Sequence, residues 1–239
     1  MLALLHTSPV HVPVFDALRD REHPGLSLRH VVSQGLLARA LAEGPEAVAG
    51  DIDRVLAPAI AAGAAAVLCT CSTIGGVAEA RAAALGVPVL RVDRPMAAAA
   101  VAVAPGGGRA ATRIAVIAAL PGTLGPTTAL VDEEAARSGR PVTVTATVVD
   151  GAWERFESGD RAGYLTAIAT AVDAVVDADA VVLAQASMAD AVQRTATATA
   201  VPVLSSPALG LRAAAAAAVS RPAQAAPEYP YSGGAVGAG

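Results

Sequence analysis

The sequence predicts an α/β protein of two similar, doubly wound parallel-sheet lobes related by pseudo-two-fold symmetry, with an active site in the cleft between them. Three observations carry that prediction. Residues 65–76 read AAVLCTCSTIGG and residues 180–191 read AVVLAQASMADA, each an apolar run that ends in small polar residues and enters a helical stretch. Both segments then reach the same tetrapeptide, Val87-Pro88-Val89-Leu90 and Val201-Pro202-Val203-Leu204. The apolar runs are continuous rather than alternating, which is the pattern of parallel strands covered on both faces. One difference between the halves limits their chemistry. Aligned on VPVL they are offset by 114 residues and Cys71 falls opposite Gln185; aligned on their Val-Leu pairs they are offset by 115 and it falls opposite Ala186. Neither alternative is ionisable.

The elements follow in order. LALLH at 2–6 is an apolar run short enough for a buried strand. The loop HTSPVHVP carries the proline and small polar residues that stop it, and a helix is expected over 13–20. Strand 26–32, helices 34–42 and 48–62, strand 64–70, helix 74–85 and strand 87–92 complete the first lobe. A bridging helix near 95–103 precedes PGGGR at 105–109, where three consecutive glycines cannot hold a helix and a hinge is expected. The second lobe repeats the plan: strand 113–119, loop LPGTLGPT, helix 126–138, strand 141–150, helix 161–177, strand 180–184, helix 188–197 and strand 201–204. The division is thus a first lobe at 1–95 completed by a C-terminal helix at 207–219, a crossover at 96–112 and a second lobe at 113–206. The tail 222–239, rich in Pro, Gly and Ala, has little to bury and is expected to be disordered.

Composition removes several function classes. All 17 basic residues are arginine, so a pyridoxal phosphate enzyme, which needs a Schiff-base lysine, and a Walker A loop, which needs GK[ST], are both excluded. A net charge of −4 with scattered arginines and few aromatics argues against nucleic-acid binding. No apolar stretch approaches the ~20 residues of a membrane span. MLALLHTSPV lacks the basic start of a signal peptide, so a cytoplasmic protein is expected. Assembly as a homo-oligomer is compatible with the sequence. Cys69 and Cys71 would lie ~6.6 Å apart in extended chain, at the edge of disulfide geometry, and read as free thiols.

Cys71 stands where a strand stops and a helix begins, with Ser72 and Thr73 as capping residues and Gly75-Gly76 allowing close backbone approach. Unpaired N–H groups and the helix dipole there are expected to bring a thiol down from about 8.5 toward neutrality and to hold a carboxylate. Cys69, inside the strand, reads as buried. Thr7 and Ser8 follow the first strand, and Thr123 lies in the matching loop of the second lobe. Ligands bind outside the carboxyl ends of parallel strands, so these hydroxyls, with Ser72, Thr73, Gln185 and Ser187, are candidate substrate contacts. His6 ends the first strand beside that loop and reads as a structural histidine, with a proton carrier as the alternative, and His11 and His23 read as surface residues. Asp93 reads as a surface ion-pair or turn residue, the alternative being that it orients a catalytic group or pairs with Arg91 or Arg94. No metal-ligand spacing appears.

Two duplicated lobes with CST at the strand-to-helix turn of the first resemble the aspartate/glutamate/hydantoin racemase superfamily over residues 1–219. In that family a Cys-Asn-Thr-like motif in one lobe and a Gly-Cys-Thr-like motif in the other place two cysteines on opposite faces of the substrate α-carbon. Cys71-Ser72-Thr73 matches the first motif; LAQASM at 183–188 stands in the second, with Gln185 where the family's cysteine would be. Two-base racemisation needs a proton donor and acceptor on both faces, which glutamine cannot supply. The resemblance therefore implies a cofactor-independent isomerase acting at the carbon next to a carboxylate, on a small carboxylate or amino-acid substrate, with Cys71 as single base or nucleophile. The alternatives are a cofactor-free decarboxylase or lyase using the same thiol, and a small-acid-binding protein without catalysis.

Overall fold

The computed structural model describes residues 1–195 and 201–220. The first lobe contains β1 (Leu2–His6), α1 (His11–Glu22), β2 (Leu28–Val32), α2 (Gln34–Glu43), a 3-10 turn, α3 (Ala49–Ala61), β3 (Ala66–Cys69), α4 (Ser72–Ala80), α5 (Ala82–Leu85) and β4 (Val89–Arg91). After α6 (Arg94–Ala102) the second lobe runs β5 (Thr112–Ala118), α7 (Pro121–Ser138), β6 (Val142–Val148), α8 (Ala152–Glu157), α9 (Arg161–Asp173), β7 (Ala180–Leu183), a 3-10 helix (Ala186–Arg194) and β8 (Val203–Ser205), and α10 (Ser206–Ser220) closes the described chain. The two four-stranded sheets have the same parallel order, β2-β1-β3-β4 and β6-β5-β7-β8. This is the predicted two-lobed α/β fold.

Buried faces explain the continuous apolar runs. On one face of the first sheet, Ala3, Leu5 and Val67 pack with Ile52, Leu56 and Ile74 of α3 and α4. On the other, Leu2, Leu4 and Leu68 pack with Phe15 of α1 and Leu211 and Ala214 of α10. The second sheet buries Ile114 and Val116 against Met96, Ala100 and Leu130, and Ile117 and Leu183 against Tyr164 and Ile168. Helix α6, which follows the first lobe, thus packs into the second, while α10, which follows the second, packs onto the first. Each lobe supplies a helix to the other's core.

Several local readings change. Helix α7 starts at Pro121, five residues before the predicted start, because proline at a first helical position gives up only an N–H that would have no helical partner. Gly139, with φ 66°, ends it in the left-handed conformation that glycine adopts without a Cβ penalty. The predicted strand 141–150 is shorter, and AWERFE forms the unpredicted helix α8, signalled by Trp153 and Phe156 three residues apart. The predicted helix 188–197 is a 3-10 helix over Ala186–Arg194, and its last two positions lie outside the described residues, as does the tail 222–239. PGGGR is anchored: Asp179 accepts hydrogen bonds from Gly106 N, Arg109 and Arg113 N. Asp93 is neither exposed nor a free turn residue. It forms a buried bidentate pair with Arg91, at 2.7 and 2.9 Å.

Candidate active site

Cys71 is the residue immediately before α4, with extended backbone (φ −109°, ψ 116°), and no side chain caps the helix. Ser72 and Thr73 are therefore the first helical residues and not caps, and the first-turn N–H groups of α4 stay open at the cleft. Leu120 precedes α7 in the same way, again without a side-chain cap. Gly75 and Gly76 make room for a protein side chain: a Cβ at Gly75 would lie 3.0 Å from Arg91 Cβ, and one at Gly76 3.3 Å from its guanidinium.

The strand registers decide between the two alignments. Leu5 pairs with Cys69 in the first sheet and Ile117 with Leu183 in the second, so Cys69 and Leu183 are equivalent. Two residues further on, Cys71 is equivalent to Gln185, which likewise precedes a helical segment with extended backbone (φ −120°, ψ 141°). His11, the first residue of α1, and Thr123, in the first turn of α7, follow the first strand of each lobe.

Thr7, Ser8, Cys71, Ser72, Thr73, Thr123, Gln185 and Ser187 all line one cleft between the lobes. The same walls include His11, Leu37, Thr70, Leu120, Trp153, Phe156 and Ala186. Reactive and hydroxyl-bearing residues dominate the first-lobe side; the second lobe contributes the larger apolar surface through Leu120, Trp153 and Phe156. Trp153 and Phe156 stack at 5.0 Å, and Phe156 packs against Tyr164 at 5.4 Å. Among the described residues no Asp, Glu or Arg side chain lines the cleft.

Hydrogen bonding sorts the hydroxyls. Ser72 Oγ donates to the Ala184 carbonyl at 2.8 Å, so its hydrogen bridges the lobes. Ser187 Oγ lies 2.8 Å from the Tyr164 hydroxyl, whose ionisation burial pushes up to about 12. Among the described residues the hydroxyls of Thr7, Ser8, Thr73 and Thr123 have no protein partner, which leaves them available to a carboxylate. Gln185 is oriented: its Oε1 accepts from Ala119 N at 2.7 Å, while its buried Nε2 has no partner. Position 185 thus carries a carboxamide where position 71 carries a thiol.

Cys71 is partly exposed, whereas Cys69 is fully buried, and burial pushes the Cys69 thiol up. His11 was expected at the surface and is instead buried in the cleft wall, where desolvation and then Arg161 bring it down to about 4. It is neutral at neutral pH. The missed signal was its place: α1 begins at His11, so the loop after β1 ends inside the cleft. Among the described residues no cluster of three His, Cys, Asp or Glu side chains could hold a metal ion.

The sequence profile of the Asp/Glu/Hydantoin racemase family matches residues 13–214. The chain belongs to that family. No curated protein is close enough in sequence to register as a match. Solved structures share the racemase fold. Allantoin racemase from Klebsiella pneumoniae superposes with a TM-score of 0.61 at 16% identity, over 93% of this chain and 89% of its own. Glutamate racemase from Aquifex pyrophilus gives 0.58 at 15%, over 88% and 81%. Arylmalonate decarboxylase gives 0.54 at 18%, over 91% and 92%. Among the described residues of this racemase-family chain, no helix is long and apolar enough to cross a membrane.

Proposed function

We propose that this racemase-family chain is a cofactor-independent isomerase acting at the carbon next to a carboxylate, with Cys71 as its single thiol base or nucleophile. The observation that carries the reading is the pairing of Cys71 with Gln185 at equivalent positions of one cleft, the glutamine oriented as a donor. The open N–H groups of α4 and the free hydroxyls of Thr7, Ser8, Thr73 and Thr123 would hold the carboxylate. Cys71 would remove or return the α-proton, and Gln185 Nε2 would stabilise the negative charge that develops on the enediolate oxygen. The walls support an apolar-substituted carboxylate as the substrate class. An aspartate-like side-chain carboxylate would find no cation among the described residues of the walls, whereas an apolar substituent would find Trp153, Phe156, Leu37 and Leu120.

One observation favours a second reading, decarboxylation of a substituted malonate. That reaction needs one proton delivered to one face of an enediolate, which a lone thiol can supply. Incubation in deuterated water separates the two: isomerisation places deuterium at the α-carbon without loss of carbon, and decarboxylation releases carbon dioxide. A panel of aryl- and alkyl-substituted mono- and dicarboxylates is expected to show one outcome with the parent protein and neither with Cys71→Ser. Equal behaviour of the two proteins across that panel would overturn both readings.

A further inference from the structure

We propose that His6 and His30 form a proton-conducting row that joins the cleft to the protein surface. The inference rests on the reading of Cys71 as a thiol that alternately gives and takes a proton, since such a thiol must exchange it with solvent. Three neighbouring strands contribute to the row on one face of the first sheet. Leu5 pairs with Cys69, which makes His6 and Thr70 cross-strand neighbours, and Leu4 pairs with His30, two residues before His6 and so on its face. Thr70 Oγ1 lies 2.8 Å from His6 Nδ1, His6 Nε2 lies 2.8 Å from His30 Nδ1, and His30 Nε2 lies 3.3 Å from Asp16 Oδ1. Thr70 lines the cleft and directly precedes Cys71, while the Asp16 side chain is 40% exposed.

The surroundings suit transfer through neutral rings. Helix α1 covers the row, with Phe15 and His11 packed 5.7 and 6.2 Å from the His6 ring. Arg19 lies 3.4 Å from Asp16 at the outer end. Burial, then His30 and His11, bring His6 down to about 3, so it does not store a proton at neutral pH. It can pass one only by accepting on one nitrogen while releasing from the other. A proton arriving on Asp16 moves to His30 Nε2, the His30 Nδ1 proton moves to His6 Nε2, and the His6 Nδ1 proton moves to Thr70 Oγ1. Thr70 then passes its own hydroxyl hydrogen to water in the cleft, which exchanges protons with the Cys71 thiol. One proton enters and one leaves, neither ring remains charged, and the reverse transfer restores both tautomers. Thr70 Oγ1 also lies 3.1 Å from the Leu5 carbonyl, a second acceptor for its hydrogen, so the inner end is hydrogen-bonded in either tautomeric state. A purely structural histidine needs one arrangement only.

The test uses the full chain labelled with 15N-histidine and no substrate, with resonances assigned through His6→Gln and His30→Gln. The expected spectrum shows both His6 ring nitrogens at shifts averaged between protonated and bare, with exchange broadening that is lost in Asp16→Asn. In His30→Gln the His6 ring is expected to settle into one tautomer, with a melting temperature that verifies the fold. A parent His6 fixed in one tautomer, or averaging that survives both substitutions, would overturn the row. Because no turnover is measured, that result leaves the role of Cys71 standing, and a failure of catalysis leaves the tautomer result standing.

Discussion

Ser72 donates its hydroxyl hydrogen to the main-chain carbonyl of Ala184 at 2.8 Å, so the residue after Cys71 in one lobe is fastened to the residue before Gln185 in the other. Ala184 is fully buried, and Ser72→Ala leaves its carbonyl without that donor. An orphaned buried acceptor costs about 1–3 kcal/mol. Thermal denaturation is expected to show a lower melting temperature for Ser72→Ala, with Ser72→Thr closer to the parent. Equal melting temperatures for the alanine variant and the parent would refute the bridge.

The two thiols differ in access by more than their two-residue separation suggests. Cys69 is fully buried against the first-lobe core, whereas Cys71 opens on the cleft. Brief treatment with iodoacetamide near neutral pH is expected to give one adduct, on Cys71, read by peptide mass spectrometry. Phenylmalonate in excess is expected to slow the labelling. A second adduct on Cys69 at a comparable rate would contradict the packing around it.

Much of this arrangement was legible in the chain. The repeated strand-turn-helix phrase and VPVL give the duplicated lobes because buried parallel strands leave an unambiguous apolar signal. The eight candidate residues converge because they sit at strand ends, where topology alone brings them to one side of each sheet. What escaped depends on packing across the duplication. Sequence could not choose between Gln185 and Ala186; the register of β5 with β7 does. Nor does a proline-rich loop announce that α1 and α7 begin early enough to put His11 and Thr123 into the same wall. Trp153 and Phe156 escaped because six residues of helix after a long strand make a weak periodic signal.

Gln185→Cys restores a thiol at the position equivalent to Cys71. It removes the acceptor of the buried Ala119 N–H, a loss of about 1–3 kcal/mol. In exchange, both faces of a bound α-carbon gain a proton-transferring group. Chiral chromatography of a single-enantiomer 2-arylpropionate is expected to show racemisation by Gln185→Cys at a higher rate than by the parent. No gain in a correctly folded variant would show that position 185 does not reach the reacting carbon.

Acid sensitivity follows from two buried histidines. Their ordinary value is 6.5, and in the folded chain His6 falls to about 3 and His11 to about 4. The unfolded chain therefore binds more protons between those values, so their contribution to stability is fully present above 6.5 and is lost as pH falls toward 4 and then 3. Each group alone steepens the loss by at most about 1.4 kcal/mol per pH unit. Urea denaturation across that range is expected to show a shallower pH slope for His11→Asn than for the parent. Identical slopes would place His11 in water.

The aromatic wall makes the last prediction quantitative. Trp153 and Phe156 stack on one another and line a cleft whose described walls carry no Asp, Glu or Arg side chain. An aryl substituent lying against them loses that contact in Trp153→Ala, at a cost of about 1–3 kcal/mol, or 10–200-fold in affinity. A small dicarboxylate such as malonate depends on the hydroxyls and helix N–H groups instead and is expected to change far less. Calorimetric titration of phenylmalonate and malonate into the parent and Trp153→Ala gives the comparison directly. Selective loss of phenylmalonate affinity supports an apolar-substituted carboxylate as substrate, whereas equal loss for both acids would mean that Trp153 shapes the cleft without reading the substituent.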